Sequence, residues 1–366
     1  MKSLSPKVWL ASLPWTTLTE PSLGLSILSA QLRSESIACR VWNLNLFILQ
    51  FIKPTTYYSI ANVYALNDFL FTRIFEEEVT SSQTRWLREK TLQLISIGFI
   101  DPREFGGVDG VMEQLLNLRN HIIPAWLADC AREINEANAT MVGFSCMFDQ
   151  TISSIALAKA IKQVNPTILT TLGGYAVRQP TAQAIIKSFD CIDAICLGEG
   201  EKVITPLAQA SVGNLSLAEV PSIVYRNEKN ELVATKPTSK IHMDDSPTPD
   251  FSDYYLDAEE MWQDHKIEVR VDRLPIETSR GCWWGAKHHC VFCGIHNEDM
   301  AYRSRTAENF MQVLDSLATT YDTNAFRFSD YILPYQFYKD LLPALAKRNK
   351  PYEISTEIKA NVSPEK

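Results

Sequence analysis

Short apolar runs alternate with amphipathic segments along residues 123–197, and few folds accept that rhythm. A helical segment at 124–137 precedes an apolar run at 140–145, another at 151–164 precedes a run at 167–172, and a third at 181–188 precedes a run at 191–197. Runs without polar alternation belong to strands covered on both faces, the condition of parallel strands joined by helical crossovers. The opening of the chain repeats the unit. Residues 8–13 form an apolar run closed by Pro14, residues 22–35 carry Leu25, Leu28 and Leu32 at helical spacing, and 38–44 form a second run. Five strands with intervening helices predict an α/β, doubly wound parallel sheet. Ligands of such sheets lie outside the carboxyl ends of the strands, where strand order reverses. The residues expected there are Leu13-Pro14-Trp15, Ser145-Cys146-Met147-Phe148, Gly173-Gly174-Tyr175 and Gly198-Glu199-Gly200-Glu201.

Two stretches depart from the rhythm. Residues 53–120 mix aromatic and acidic side chains, with Phe69, Phe71 and Phe75 beside Glu76, Glu77 and Glu78, and read as a helical insertion with turns at Asp101-Pro102 and Gly106-Gly107. Such an insertion either packs as plain core or caps a cavity. Residues 211–273 read as a connector that holds a hairpin, with strands at 222–225 and 231–235 around a polar turn, followed by a proline-punctuated crossing at 244–255. The expected domains are therefore 1–210, the connector 211–273, and 274–366.

The third region opens with a short run from Leu274 that ends at Arg280-Gly281, and three cysteines follow on the loop: Cys282, Cys290 and Cys293. Gaps of seven and two residues are metal-ligand spacing. Three thiolates hold an iron-sulfur cluster with one iron left open. A closed zinc site of Cys282, Cys290, Cys293 and His296 is the chemical alternative, and a cluster of small buried hydrophobes is the bland one. Disulfides fit poorly, since the eight cysteines are scattered through a long chain with no secretion signal. Beyond the loop, Thr306 can cap a helix with Phe310, Val313, Leu314 and Leu317 on one face. A strand is expected at 325–328, a helix at 335–347 and a third strand at 352–358. Three strand-helix units predict a partial (β/α) barrel, whose active residues lie at carboxyl strand ends, here Asp330 and Glu357. Both can equally be charges facing water.

Composition narrows the partners. A chain of 366 residues with 46% hydrophobic and 21% charged residues has ample core for a globular protein. Its net charge of −8 argues against an extensive nucleic-acid surface. The sequence has no unbroken apolar run of about 18 residues and no signal-peptide core, so no membrane partner and a reducing, cytoplasmic location are expected.

The Cys-x7-Cys-x2-Cys spacing, with Phe292 before the last cysteine, resembles the radical S-adenosylmethionine (SAM) superfamily, whose first gap is more often three residues. The widened gap, Gly-Cys-Trp-Trp-Gly ahead of His-His-Cys-Val-Phe-Cys-Gly, is similar to the cobalamin-binding branch that matures ribosomally synthesised peptides (RiPPs). The Gly173-Gly174 loop and the Gly198-Glu199-Gly200-Glu201 element stand where that branch carries its cobalamin-binding elements. The resemblance implies a flavodoxin-like, cobalamin-binding sheet followed by a radical SAM barrel, and three cofactors: a 4Fe-4S cluster, SAM and cobalamin. It implies cluster ligands Cys282, Cys290 and Cys293, and SAM contacts from Phe292, Asp330 and Glu357. Cobalamin contacts would come from Ser145, Met147, Gly173, Gly174, Tyr175, Gly198 and Glu199. The Asp-x-His-x-x-Gly motif of other cobalamin folds is absent and residues 14–24 hold no histidine, so no histidine lower ligand is implied. Met147, Phe148 or Tyr175 would cover or flank the lower corrin face.

By resemblance the activity is C-methylation of a ribosomally made peptide, with that peptide and an electron donor protein as partners. A non-catalytic cobalamin- or zinc-binding regulatory protein is the alternative. A family barrel has about six strand-helix units of roughly 30 residues, and residues 274–366 leave room for three. The chain is therefore expected to be truncated and to turn over little by itself, unless a second polypeptide completes the barrel. The ending Ser363-Pro364-Glu365, a helix start that does not continue, carries the same expectation.

Overall fold

The computed structural model of this chain describes residues 5–295, 300–348 and 352–360. Two compact units are present, one of Met1–Leu18, Gln31–Thr238 and Phe251–Val269, the other of Thr19–Ala30, Ser239–Asp250 and Arg270–Lys366.

The first unit is built on a seven-stranded sheet. Its strands are β1 (Lys7–Ala11), β2 (Ala38–Trp42), β3 (Met141–Ser145), β4 (Leu169–Gly173), β5 (Ala194–Cys196), β6 (Ile223–Arg226) and β7 (Leu232–Ala234), in the order β2-β1-β3-β4-β5-β6-β7. The first five are parallel, and their order reverses between β1 and β3, the flavodoxin-like pattern. Their unbroken apolar character follows from burial on both faces: Val8, Leu10, Met141, Val142, Phe144, Leu172 and Ile195 are all at most 2% exposed. The helices Ile123–Glu136, Thr151–Val164 and Thr181–Ser188 stand where the periodicity places them.

The connector expected at 211–273 holds its hairpin on the edge of the first sheet, where β6 pairs antiparallel with β5 and makes the sheet mixed. Pairing there removes the open edge that β5 would otherwise present. Its crossing contains a 14-residue helix, Ser252–His265, which covers the opposite edge. Asp253 Oδ2 accepts from the Val41 N–H at 2.7 Å and Asp257 Oδ2 from the Asn43 N–H at 2.8 Å, so two carboxylates take a donor of β2 and the donor just beyond its end. Arg33 and Arg40 pair with these carboxylates, and Asp257 is fully buried. Burial pushes the Asp257 carboxyl up to about 6, against the pull of Arg40 and of the Asn43 hydrogen bonds.

The insertion is helical, with Pro54–Ala61, Ser81–Ser96 and Val108–Asn117 as its longer helices. Thr80 and Gln83 form a capping box at the start of the second. Arg119, 0% exposed, holds the insertion together. It donates to Thr72 Oγ1 at 3.1 Å and to the Glu76 carbonyl at 2.9 Å, and its guanidinium lies 4.9 Å from the Phe69 ring centre.

The second unit holds a parallel sheet of β8 (Leu274–Ile276), β11 (Ala325–Phe328) and β12 (Glu353–Ser355) in the order β12-β11-β8, and an antiparallel pair of β9 (Ser279–Arg280) and β10 (Arg303–Ser304). Helix Ala307–Thr320 starts on a Thr306 cap and buries Phe310, Val313, Leu314 and Leu317. The single helix expected at 335–347 is divided into a tight turn, Tyr335–Tyr338, and a helix, Leu341–Ala346. Pro343 has no N–H to give the carbonyl four residues back, so the helix restarts at Asp340, whose side chain accepts from the Leu341 N–H at 2.6 Å. Residues 361–366, including the helix start at Ser363, lie outside the described residues.

Candidate functional site

In the first unit the residues expected on the sheet rim occupy consecutive loops after β3, β4 and β5, three neighbouring strands. Ser145 closes β3 in register with Gly173, and both are half-buried. Met147 projects from the β3 loop with 47% of its surface exposed. Tyr175 is half-buried after β4, with the Arg178 guanidinium 4.2 Å from its ring centre. Gly198 follows β5 with φ +91° and open space where a side chain would stand, and Glu199 beside it is half-buried. All seven residues expected near cobalamin lie at the carboxyl ends of these three strands or on the loops that follow them.

The reason for Gly174 differs from the sequence expectation. The resemblance implies a cobalamin contact at Gly174, whereas what requires a glycine there is the protein's own backbone. At φ +115° and ψ −179° only glycine is at ease, and a Cβ here would stand 2.6 Å from the Cys146 carbonyl oxygen. The close approach lets the β3 and β4 loops interlock through Cys146 N–H to Gly173 O at 2.7 Å and Ala176 N–H to Cys146 O at 3.1 Å. Burial pushes the thiols of Cys146 and Cys196 under this rim up to about 12, which disfavours the reactive thiolate.

The β1 loop also lies on the rim but is tied down. Gln150 Nε2 donates to Leu13 O at 2.7 Å, Ser153 Oγ to Pro14 O at 2.6 Å, and the Trp15 N–H to Asp149 O at 3.4 Å. From the insertion, the Tyr57 hydroxyl accepts from the Thr16 N–H and donates to the Thr16 carbonyl, each at 2.7 Å, and the Trp15 ring packs 4.7 Å from the Tyr57 ring. Asp68, also from the insertion, is pushed up to about 6 by burial and then by the charge of Asp149. Sequence reasoning missed Gln150 and Tyr57, since a lone glutamine before a helix and a tyrosine in an aromatic-rich stretch carry no local signal.

In the second unit Cys282, Cys290 and Cys293 share one loop and are all half-buried. Among the described residues no three His, Cys, Asp or Glu side chains are gathered around one metal centre, so the loop carries the thiols without drawing them together. His296, the fourth ligand of the zinc alternative, lies outside the described residues. The loop is fastened at both ends. Gly281, at φ +81°, lets the returning chain lie within 2.5 Å of where its Cβ would be, at the Ala301 carbonyl. The Gly285 N–H points at Cys282 Sγ at 3.2 Å. Trp283 Nε1 donates to the Leu333 carbonyl at 3.0 Å, and Lys359 Nζ sits 3.5 Å from the Trp284 ring centre.

The three expected SAM contacts fall in different settings. Asp330, 5% exposed, uses both oxygens inside the protein. Oδ1 accepts from the Thr278 and Ser279 N–H groups at 2.9 and 2.7 Å, and Oδ2 from the Thr278 hydroxyl at 2.6 Å. It therefore anchors the turn leading to Cys282, and burial pushes its carboxyl up to about 6 despite these donors. Glu357 is exposed, with its main-chain carbonyl accepting from the Leu333 N–H at 2.8 Å. Phe292 is 89% exposed. Two hydroxyls absent from the sequence expectation stand at the strand ends instead: Ser329 Oγ and Thr356 Oγ1, immediately after β11 and β12, are buried with no partner among the described residues. Buried polar atoms of this kind await a hydrogen-bonding group.

Residues 109–208 match the B12 binding domain. The chain is 24% identical over 229 residues to an uncharacterized methyltransferase of Pyrococcus horikoshii, covering 61% of this chain and 44% of that protein. It is 30% identical over 173 residues to the anaerobic magnesium-protoporphyrin IX monomethyl ester cyclase of Rubrivivax gelatinosus, covering 46% of this chain and 29% of the cyclase. Among solved structures, the cobalamin-dependent S-adenosylmethionine radical enzyme OxsB with aqua-cobalamin bound aligns over 99% of this chain and 40% of its own, at TM-score 0.61 and 16% identity. The radical S-adenosylmethionine methyltransferase TsrM from Kitasatospora setae, with cobalamin and a 4Fe-4S cluster bound, aligns over 94% of this chain and 51% of its own, at TM-score 0.51 and 16% identity. These structures share the fold. The chain spans less than half the length of the curated relatives it matches. No helix among the described residues is long and apolar enough to cross a membrane.

Proposed function

We propose that this chain acts as a cobalamin-dependent radical SAM enzyme that methylates a carbon of a ribosomally synthesised peptide during its maturation. The observation that carries the reading is the coincidence, in one chain, of a B12-binding match over residues 109–208 and a three-thiol loop following a parallel strand in the other unit. The donor chemistry of the residues suits the groups, with three free thiols on one loop. A corrinoid would rest on the loops after β3, β4 and β5, where Met147 is exposed and Gly198 leaves open space. A 4Fe-4S cluster would take Cys282, Cys290 and Cys293, the first already receiving an N–H···S hydrogen bond of the kind that tunes a thiolate ligand. Ser329 and Thr356 supply unpartnered hydroxyls for a polar ligand such as SAM. When bound, these groups would supply radical hydrogen abstraction and a methyl donor, while the protein binds and orients them.

The chain's own contribution is positioning. Asp330 holds the Thr278-Ser279 turn, and Trp283 and Lys359 hold the thiol loop to the segments after β11 and β12. The peptide substrate and an electron donor protein belong to the same reading. Anaerobic reconstitution with iron and sulfide tests it. A brown protein holding about four irons, lost in Cys290→Ala or Cys293→Ala, together with retention of hydroxocobalamin, is the expected result. A colourless protein retaining one zinc per chain would support the Cys3His alternative and overturn the radical reading.

A further inference from the structure

We infer that Gln150 is a positioning residue for corrinoid binding: its side-chain amide fixes the Met147 backbone to the β1 loop across the point where strand order reverses. The inference rests on the corrinoid part of the reading above. Gln150 is 2% exposed and uses both ends of its amide. Oε1 accepts from the Met147 N–H at 3.3 Å, while Nε2 donates to the Leu13 carbonyl at 2.7 Å and to Ser12 Oγ at 3.3 Å. Its own backbone N–H returns to the Met147 carbonyl at 3.1 Å, so the Met147 peptide is held on both sides. An ionised glutamate cannot donate to Leu13, and a methionine of the same length can do neither job.

The geometry has a consequence for binding. In an open α/β sheet the reversal point is the crevice that receives a ligand. Here Gln150, Ser153 and the Trp15 N–H bond the β1 loop to the β3 loop and its following helix across that crevice. Ligand contacts are thereby directed to the loops after β3, β4 and β5, where Met147 is an exposed apolar side chain on the β3 loop. Met147 has a flexible thioether whose ordering is costly in itself, and a backbone already fixed beneath it spares binding the further cost of ordering the main chain. Gln150 supplies that fixation without touching the ligand.

The test is a double-mutant cycle on hydroxocobalamin affinity in the full chain, using Gln150→Met, Met147→Gly and the pair, with amide hydrogen exchange as a second readout. Gln150→Met is expected to weaken binding about ten-fold, the loss of one to two hydrogen bonds' worth of ordering. The pair should be little worse than Met147→Gly alone, since Gln150 acts through Met147. Exchange at the Met147 amide should accelerate while protection of Val142 and Phe144 inside β3 stays unchanged. Gln150→Glu, which keeps the acceptor and removes the donor, should fall on the same side and serves where the methionine variant does not fold. Additive effects in the cycle, run with Gln150→Glu where Gln150→Met does not fold, or Met147 exchange unchanged in Gln150→Met, would overturn the inference. Failure of the wild-type chain to bind hydroxocobalamin would overturn the corrinoid reading and the positioning role of Gln150 with it, whereas binding with additive effects removes Gln150 alone.

Discussion

Replacing Gly174 by alanine should cost far more than the same change at Gly198, although both glycines have positive φ and lie on rim loops. At Gly174 two penalties combine. The conformation, φ +115° with ψ −179°, lies in a region that L-residues avoid, at about 1–3 kcal/mol. The new Cβ would also stand 2.6 Å from the Cys146 carbonyl oxygen and 3.0 Å from its carbon, so backbone must move. The movement strains the Ala176 N–H to Cys146 O bond, worth about 1 kcal/mol. Together the loss comes to about 2–4 kcal/mol. At Gly198, where φ is +91° and nothing stands within 4 Å, only the conformational part remains, about 1–2 kcal/mol. Urea unfolding followed by far-ultraviolet circular dichroism reads the difference as a shift of the midpoint, about 1 M for Gly174→Ala at an unchanged slope. Equal losses at the two positions would refute the argument, because they would mean that the Cys146 carbonyl yields without cost.

Three further outcomes follow from the same geometry. Iodoacetamide at mild alkaline pH should label Cys282, Cys290 and Cys293 well before Cys146, Cys191 and Cys196, whose thiols burial pushes up to about 12, 11 and 12; mass spectrometry showing Cys146 labelled as fast as Cys290 would contradict this. The Asp330 carboxyl should titrate near 6 in the folded chain, above its unfolded value near 4; the fold then binds that proton more firmly, so this group's contribution lowers stability as pH rises from about 4 to 6, and a carbon-13 titration midpoint at or below 4 would mean that its three donors outweigh burial. Asp257→Ala should destabilise the first unit by about 3 kcal/mol or more, since it leaves Arg40 and the Asn43 N–H without their buried acceptor; a loss under 1 kcal/mol by thermal unfolding would show that water replaces the carboxylate freely.

What the sequence determined by itself is local and periodic. The strand-helix alternation specified the five parallel strands, because apolar runs of that length are stable only when covered on both faces. It also placed helices Thr151–Val164 and Thr181–Ser188 and strand Ala325–Phe328 at their observed bounds. The three cysteines were legible as one loop because their spacing is a local pattern. What the tertiary structure alone decided depends on partners far apart in sequence. The hairpin β6–β7 and the helix Ser252–His265 look like connector until the two open edges of the sheet need covering, and only the fold reveals those edges. Gly174 is required by the carbonyl of Cys146, Asp330 by the turn at Thr278, and Gln150 by Leu13, a residue 137 positions away. A hydrogen bond depends on distance and direction in space, and neither is written in the periodicity that makes a strand or a helix.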